Sequence, residues 1–292
     1  MSAFDLAAAR QSIGWVTGAG GLIGHHLVQT APRFAPAWNV CGLTRVQLDL
    51  LDFARVRQEF QEQRPQLIIH CAAMSRSPEC QAKPELARQI NVDVTALLAE
   101  LAADIPLVFF STDLVFDGKS GGYHEPSPVN PLSVYAETKV AAEKIVLANP
   151  RHLVIRTSLN AGTSPTGDRA FNEQMRLAWQ RGERLRLFTD EFRSPIPAAV
   201  TARATWELIN EKETGLFHVA GRERSSRYEI GKRIAVRRPE LLPQIEPASC
   251  KDFQNPPRPP DTTLNCMKAQ SVLSFQLPAF SEWLRDHPNE LI

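Results

Sequence analysis

At 292 residues, 43% hydrophobic and 22% charged, the chain falls in the ordinary globular class and is long enough to bury a sizeable core, as one large domain or two smaller ones. Its 33 Lys and Arg are dispersed and nearly balanced by 32 Asp and Glu, for a formal charge of +1, which argues against nucleic acid as a partner. The longest apolar stretches, such as residues 67–69 and 107–110, are far too short to cross a bilayer, so no membrane partner is expected.

Residues 13–17 read as a first strand, 22–30 as a helix, 40–44 as a second strand and 53–63 as a helix with charges on one face. Residues 66–70 make a third strand, 84–102 a long helix and 107–111, just past Pro106, a fourth strand. A helix over 131–147 and a strand over 153–157 follow. This alternation predicts an α/β fold, a Rossmann-type doubly wound parallel sheet. Beyond residue 157 it loosens: 171–181, 201–210 and 227–236 look helical, and 216–219 looks like a strand. Seven prolines between Pro239 and Pro260 argue against a helix or a central strand, so this stretch is expected to be an ordered surface loop before a last helix. The expected division is a dinucleotide-binding domain over 1–157, completed by 194–221, with a smaller C-terminal substrate-binding region over 158–193 and 222–292.

The N-terminal MSAFDLAAARQS lacks the basic, apolar and small-residue order of a signal peptide, which points to a cytoplasmic protein. Cys41, Cys71, Cys80, Cys250 and Cys266 are odd in number and scattered, without a C-x-x-C pair. They read as buried thiols rather than as a disulfide framework or a zinc site, and no metal is expected.

The segment VTGAGGLIG joins the first predicted strand to the first helix and places Gly18, Gly21 and Gly24 at G-x-x-G-x-x-G spacing. The first glycine permits a tight turn, the second lets a pyrophosphate approach the backbone, and the third allows close helix-to-strand packing. Amides of the helix N-terminus would then face the anion. His25 and His26 read as plain helix residues, having no carboxylate or Cys at ligand spacing. After the second strand, where an acidic residue would hold the adenosine ribose, stands Arg45, which suits a 2′-phosphate. NADP(H) is favoured, with NAD(H) left open.

Tyr135 and Lys139 in SVYAETKVAAEK are four residues apart in a predicted helix and so share a face. An adjacent ammonium is expected to lower the phenol's pKa and make it a proton shuttle. Ser111, Thr112 and Asp113 in FFSTDLVFDG fall at the carboxyl edge of the predicted sheet, where ligands of such folds sit. Thr112 is placed to donate a hydrogen bond to a substrate carbonyl as Tyr135 protonates it.

With these residues in view, the sequence resembles the extended short-chain dehydrogenase/reductases of the NAD-dependent epimerase/dehydratase superfamily, and within them the dTDP-4-dehydrorhamnose reductase branch. The resemblance covers nearly the whole chain. It rests on TGAGGLIG, LDLLD, HCAAMS, STDLVFDG, PLSVYAETKVAAEK, RTS, DEFRSPIP, LFHVAG and RPPDTTLN. It implies reduction of a keto group on a nucleotide-linked sugar. It places Gly21, Leu22 and Ile23 at the cofactor pyrophosphate, Asp49 and Leu50 at the adenine, and Ala72, Ala73 and Ser75 at the cofactor's middle. It makes Tyr135 the proton donor, sets Lys139 by the nicotinamide side with Ser111 close by, and puts Thr112 and Asp113 at the sugar's keto end. Arg193 and Arg258 would contribute from the C-terminal region. Two departures stand out: the branch carries an aromatic where Leu114 stands and a Trp where Leu159 stands, so an aromatic platform for the sugar ring is missing at both. The same likeness leaves two alternatives, a sugar-nucleotide epimerase or dehydratase, and a non-catalytic subunit like the regulatory beta subunit of methionine adenosyltransferase. Homodimer formation is left open.

Overall fold

The computed structural model describes residues 12–241, 243–252 and 258–288. In chain order it forms β1 (Ser12–Thr17), α1 (Leu22–Phe34), β2 (Trp38–Leu43), α2 (Phe53–Gln63), β3 (Leu67–His70), α3 (Ser77–Ala82), α4 (Pro84–Arg88), α5 (Val94–Leu101), β4 (Leu107–Thr112), α6 (Val134–Leu147) and β5 (Leu153–Thr157). Then come β6 (Asn160–Ala161), α7 (Phe171–Gln180), β7 (Leu185–Phe188), β8 (Phe192–Arg193), β9 (Ile196–Pro197), α8 (Ala198–Asn210), β10 (Gly215–Val219), β11 (Ser225–Ser226), α9 (Arg227–Val236), β12 (Ile245–Ala248), α10 (Met267–Gln270) and α11 (Phe280–Asp286).

Six parallel strands make the central sheet in the order β10-β5-β4-β3-β1-β2. Neighbouring side chains on each strand go to opposite faces, and both faces are covered, which is why the strands read as unbroken apolar runs. Val16, Ile69, Val108 and Ile155 pack on the side of Leu27 and Trp206, from α1 and α8. Trp15, Ile68, Phe109 and Val154 pack on the other, with Val56, Leu98 and Ala142 of α2, α5 and α6. The order reverses between β1 and β3, and the carboxyl ends of those strands open the crevice where ligands of such sheets bind.

A separate apolar cluster, with Met175, Trp179, Leu187, Ile230, Phe280 and Trp283, lies outside these two layers. It is built from α7, β7, α9 and α11.

Several boundaries depart from the sequence expectation. The helix expected over 84–102 is α4 and α5 joined by a π-helical turn, Gln89–Asp93, which admits an extra residue and turns Asn91 inward. The helix expected from 131 begins at Val134, because Ser133 caps it, its hydroxyl accepting from the Ala136 amide at 3.3 Å. α1 runs on to Phe34 with Pro32 in its last turn, and α8 starts at Ala198. The proline-rich stretch is not all loop: β12 pairs in parallel with β7, which the periodicity missed, and Pro247 is tolerated because this is a two-stranded edge pairing. Residues 253–257 of that stretch lie outside the described residues.

Candidate active site

Gly18 follows β1 at φ +71°, and a Cβ there would stand 2.6 Å from the Ala72 amide nitrogen. At Gly24 a Cβ would meet the Gly18 carbonyl oxygen at 2.4 Å, so α1 can lie against the turn only without a side chain. Gly21 occupies the N-cap position of α1 and supplies no side-chain cap, which leaves the first-turn amides without a side-chain acceptor. Leu22 is buried and Ile23 half-buried beside it. Ala72 and Ala73, half-buried, follow β3 directly across the switch point, and Ser75 is exposed. Arg45, its side chain 80% exposed, lies 3.7 Å from the Asp49 carboxylate, a surface pairing of little worth that a stronger anion can displace. Leu50 is half-buried next to it.

Tyr135 and Lys139 sit one turn apart on α6, both buried. Lys139 Nζ lies 3.9 Å above the Phe109 ring of β4. Burial lowers the Lys139 pKa to about 7, against the opposing pull of Glu143 and Cys71. The expectation that Lys139 lowers the phenol's pKa is corrected: burial dominates and pushes Tyr135 well above its ordinary value, Asp113 and Cys80 add to this, and a hydrogen bond with Thr112 opposes it. A phenol in that setting keeps its proton. Thr112 Oγ1 donates to Asp113 Oδ1 at 3.2 Å and accepts from the Leu114 amide at 3.2 Å. The Ser111 hydroxyl is buried and has no partner among the described residues.

Asp113 is engaged on every side. Its Oδ2 accepts from Ser158 Oγ at 2.6 Å and from Thr262 Oγ1 at 2.9 Å, and Arg193 Nε stands 3.7 Å away. Arg193, 4% exposed, donates to Thr262 Oγ1 at 2.8 Å and pairs with Glu191 at 3.1 Å. Asp113 and Arg193, two of the four residues expected to touch substrate, therefore spend their hydrogen bonds on each other's surroundings, stapling the end of β4 to β8 and the segment around Thr262. Arg258 differs: it reaches the same Glu191 at 3.1 Å, with its side chain 45% exposed.

Sequence reasoning missed three members of this site. Arg227, at the start of α9, has a buried Nη1 with no partner among the described residues. Burial lowers the pKa of its guanidinium, Glu191 opposes this, and the nearby Arg193 and Arg258 reinforce it. Glu191 is the hub of that arginine cluster, and the segment DEFRSPIP that contains it was the only trace it left. Asn91 is the third: from the π turn it accepts from the Met74 amide at 2.8 Å and donates to Thr138 Oγ1 at 3.0 Å, locking the loop after β3 to the turn between Tyr135 and Lys139. The inserted residue that turns it inward leaves no periodic mark.

Among the described residues no group of three or more His, Cys, Asp or Glu is arranged to hold a metal ion, and no helix is long and apolar enough to cross a membrane. The five cysteines are free, with Cys80 and Cys250 buried and Cys41, Cys71 and Cys266 partly so.

The chain is 29% identical over 287 residues to the methionine adenosyltransferase 2 subunit beta of Xenopus laevis, covering 93% of this chain and 85% of that protein. It is 29% identical over 286 residues to a probable low-salt glycan biosynthesis reductase, Agl14, of Haloferax volcanii, covering 92% and 94%. The crystal structure of dTDP-4-dehydrorhamnose reductase from Bacillus anthracis in complex with NADP superposes with a TM-score of 0.85 at 26% identity, over 94% of this chain and 98% of that one. Residues 15–291 match the RmlD substrate binding domain, and the chain belongs to that family, an oxidoreductase family by its named reductases.

Proposed function

We propose that the protein reduces a keto group on a nucleotide-linked sugar at the expense of a nicotinamide cofactor, with Tyr135 as the proton donor. The observation that carries this reading is the hydrogen bond between Tyr135 and Thr112 at the carboxyl end of the sheet, with Lys139 one turn along α6 over Phe109, beside a glycine turn in which two Cβ atoms would clash with backbone. The cradle left by Gly18, Gly21 and Gly24 fits a dinucleotide pyrophosphate, and the cofactor, when bound, supplies the hydride.

Tyr135 Oη, held protonated by burial, gives its proton to the carbonyl oxygen as negative charge develops there. The Thr112 hydroxyl, which rests on Asp113 Oδ1 at 3.2 Å, turns its single proton to the same oxygen to steady it. Asp113 thus serves the site by orientation rather than by touching the sugar. Lys139, one turn along α6, would hold the nicotinamide side of the cofactor. Arg45, exposed and weakly paired, supports a preference for NADP(H) over NAD(H). Arg227, with its unpartnered Nη1, and the half-exposed Arg258 are the groups suited to the nucleotide's diphosphate. The region outside the sheet acts as the substrate-binding part, closing over the sugar.

Tyr135→Phe tests the reading with NADPH and dTDP-4-dehydrorhamnose. Turnover should fall by roughly 10²–10⁴-fold, the usual worth of a positioned general acid, while NADPH binding measured by fluorescence is kept. Undiminished turnover would remove Tyr135 from the chemistry. NADPH binding by a wild-type protein that reduces neither this nor related nucleotide-linked keto sugars would favour a binding subunit, the role suggested by the name of the Xenopus relative.

A further inference from the structure

Two extended segments stand between the proposed catalytic groups and a cavity of about 390 Å³. In β8, Arg193 is turned to Asp113, while its neighbour Phe192 lies under the Arg224 guanidinium, whose carbon is 3.3 Å from the ring centre. Phe192 bridges in parallel to Asp261, where the second segment begins. There Thr262 donates to Asp113 at 2.9 Å, and Asp261 and Thr263, on either side of it, line the cavity. Successive side chains of an extended chain go to opposite sides, so both segments show one face to Asp113 and the other to the cavity. None of the described residues lining it is one assigned above to the cofactor or the sugar.

Its walls are rich in donors. Arg222 and Arg224 both line it, and Asp261 is the one carboxylate among the described lining residues. That carboxylate is already spent. Oδ1 accepts from the Thr263 amide at 3.1 Å and from the Thr263 hydroxyl at 2.7 Å, and Oδ2 accepts from Arg224 Nε at 2.7 Å. Bonding through Nε leaves the two terminal nitrogens of Arg224 to donate elsewhere. Arg222 pairs with Glu282 at a surface where both side chains are nearly half exposed, a contact that a stronger anion can displace. Glu223, between the two arginines, is turned to Arg233 at 2.8 Å and to the Ser281 amide at 2.7 Å. Asn265 Oδ1 accepts from the Met267 amide at 2.9 Å, so its amide nitrogen remains a donor. At Gly121, φ +67°, a Cβ would meet the Asp261 carboxylate at 2.6 Å, and at Gly122 it would meet nothing within 4 Å, so glycine keeps this side open.

We infer that this cavity is a second ligand site, which takes the phosphate of a small phosphorylated molecule and is distinct from the place of the sugar nucleotide's own diphosphate. Two guanidinium groups against one spent carboxylate suit a doubly charged phosphate better than a single carboxylate, and each planar fork can bond two phosphate oxygens at once. The volume lies in the range of small-molecule sites, so an organic part fits beside the phosphate.

The measurement is an NMR titration of the full chain carrying 15Nε-labelled arginine, with one equivalent of NADP+ present and the two signals assigned by Arg222→Lys and Arg224→Lys. Glucose 1-phosphate should move both signals along a saturating curve, and sodium chloride at equal ionic strength should not. Inorganic phosphate should move them as well. A weaker midpoint for it than for the sugar phosphate assigns the remaining volume to the organic part, and an equal midpoint assigns the site to free phosphate. Arg222→Ala, a surface replacement that keeps the fold, should weaken the midpoint read at Arg224 by about tenfold or more. Arg184→Ala, which removes another exposed arginine, the partner of Glu246, should leave it within about twofold. Shifts that never saturate, that chloride reproduces, or that Arg222→Ala leaves unchanged overturn the inference. So does saturation of both signals by one equivalent of dTDP, which would make the cavity the nucleotide's own pocket.

Discussion

The sheet and the region outside it are held by different physics. In the sheet, Trp15, Ile68, Phe109 and Val154 alternate with Val16, Ile69, Val108 and Ile155 across two apolar layers, and polar side chains concentrate at the strands' carboxyl ends. Outside it, strands of two residues such as β8 and β11 are too short to organise anything alone, and a charged network of Asp113, Glu191, Arg193 and Arg258 ties them to the end of β4. Apolar burial is non-directional and tolerant of small changes, whereas a buried polar network counts only when every member is satisfied. The first builds a stable platform; the second, which under the proposed function shapes recognition, is the easier to break.

The largest expected effect lies on the platform. Trp206 is fully buried and donates from Nε1 to the Leu27 carbonyl at 3.1 Å, joining α8 to α1. Trp206→Ala should cost about 3–5 kcal/mol and take NADPH binding down in the same thermal transition. Trp283→Ala, in the outer cluster, should lower the melting temperature while NADPH affinity measured below that transition holds. Equal loss of cofactor affinity in the two folded variants would erase the distinction drawn between the regions. Next comes the staple between them. Asp113→Ala strips the acceptor from Ser158 and Thr262 and a neighbouring charge from Arg193, and should destabilise by about 2–3 kcal/mol in denaturant unfolding. A change under about 0.5 kcal/mol would mean that the network is dispensable, as ordinary surface contacts are. The smallest effect is on the rim of the platform: Arg45→Ala should weaken NADPH about fivefold, roughly 1 kcal/mol, and leave NADH unchanged in parallel titrations. Equal weakening of both would place Arg45 away from the 2′-phosphate.

Legibility in the sequence followed the same divide. The strands that end at Thr17, His70, Thr112 and Thr157 lie within about a residue of where apolar periodicity put them, because a sheet buried on both faces prints its pattern locally. The glycine turn was legible for a similar reason, since only residues without a Cβ satisfy Gly18 and Gly24. β7 and β12 were not, because each is a short edge strand and one of them holds Pro247. The π turn around Asn91 was also invisible, as one added residue shifts a helical face without changing its composition.

The sequence alone therefore determined the chain order of the central strands and their main helices, the glycine turn and the one-turn spacing of Tyr135 and Lys139, all of which depend on neighbours a few residues away. Only the tertiary structure decided which charges are spent internally. Thr262 meets Asp113 across 149 residues of chain, Arg193 is buried against both, and Arg227 Nη1 finds no partner among the described residues. Such pairings are set by packing between distant segments and leave no period in the chain. The direction of the tyrosine's pKa shift belonged to the tertiary structure for the same reason, since burial, which local spacing does not reveal, is its largest cause.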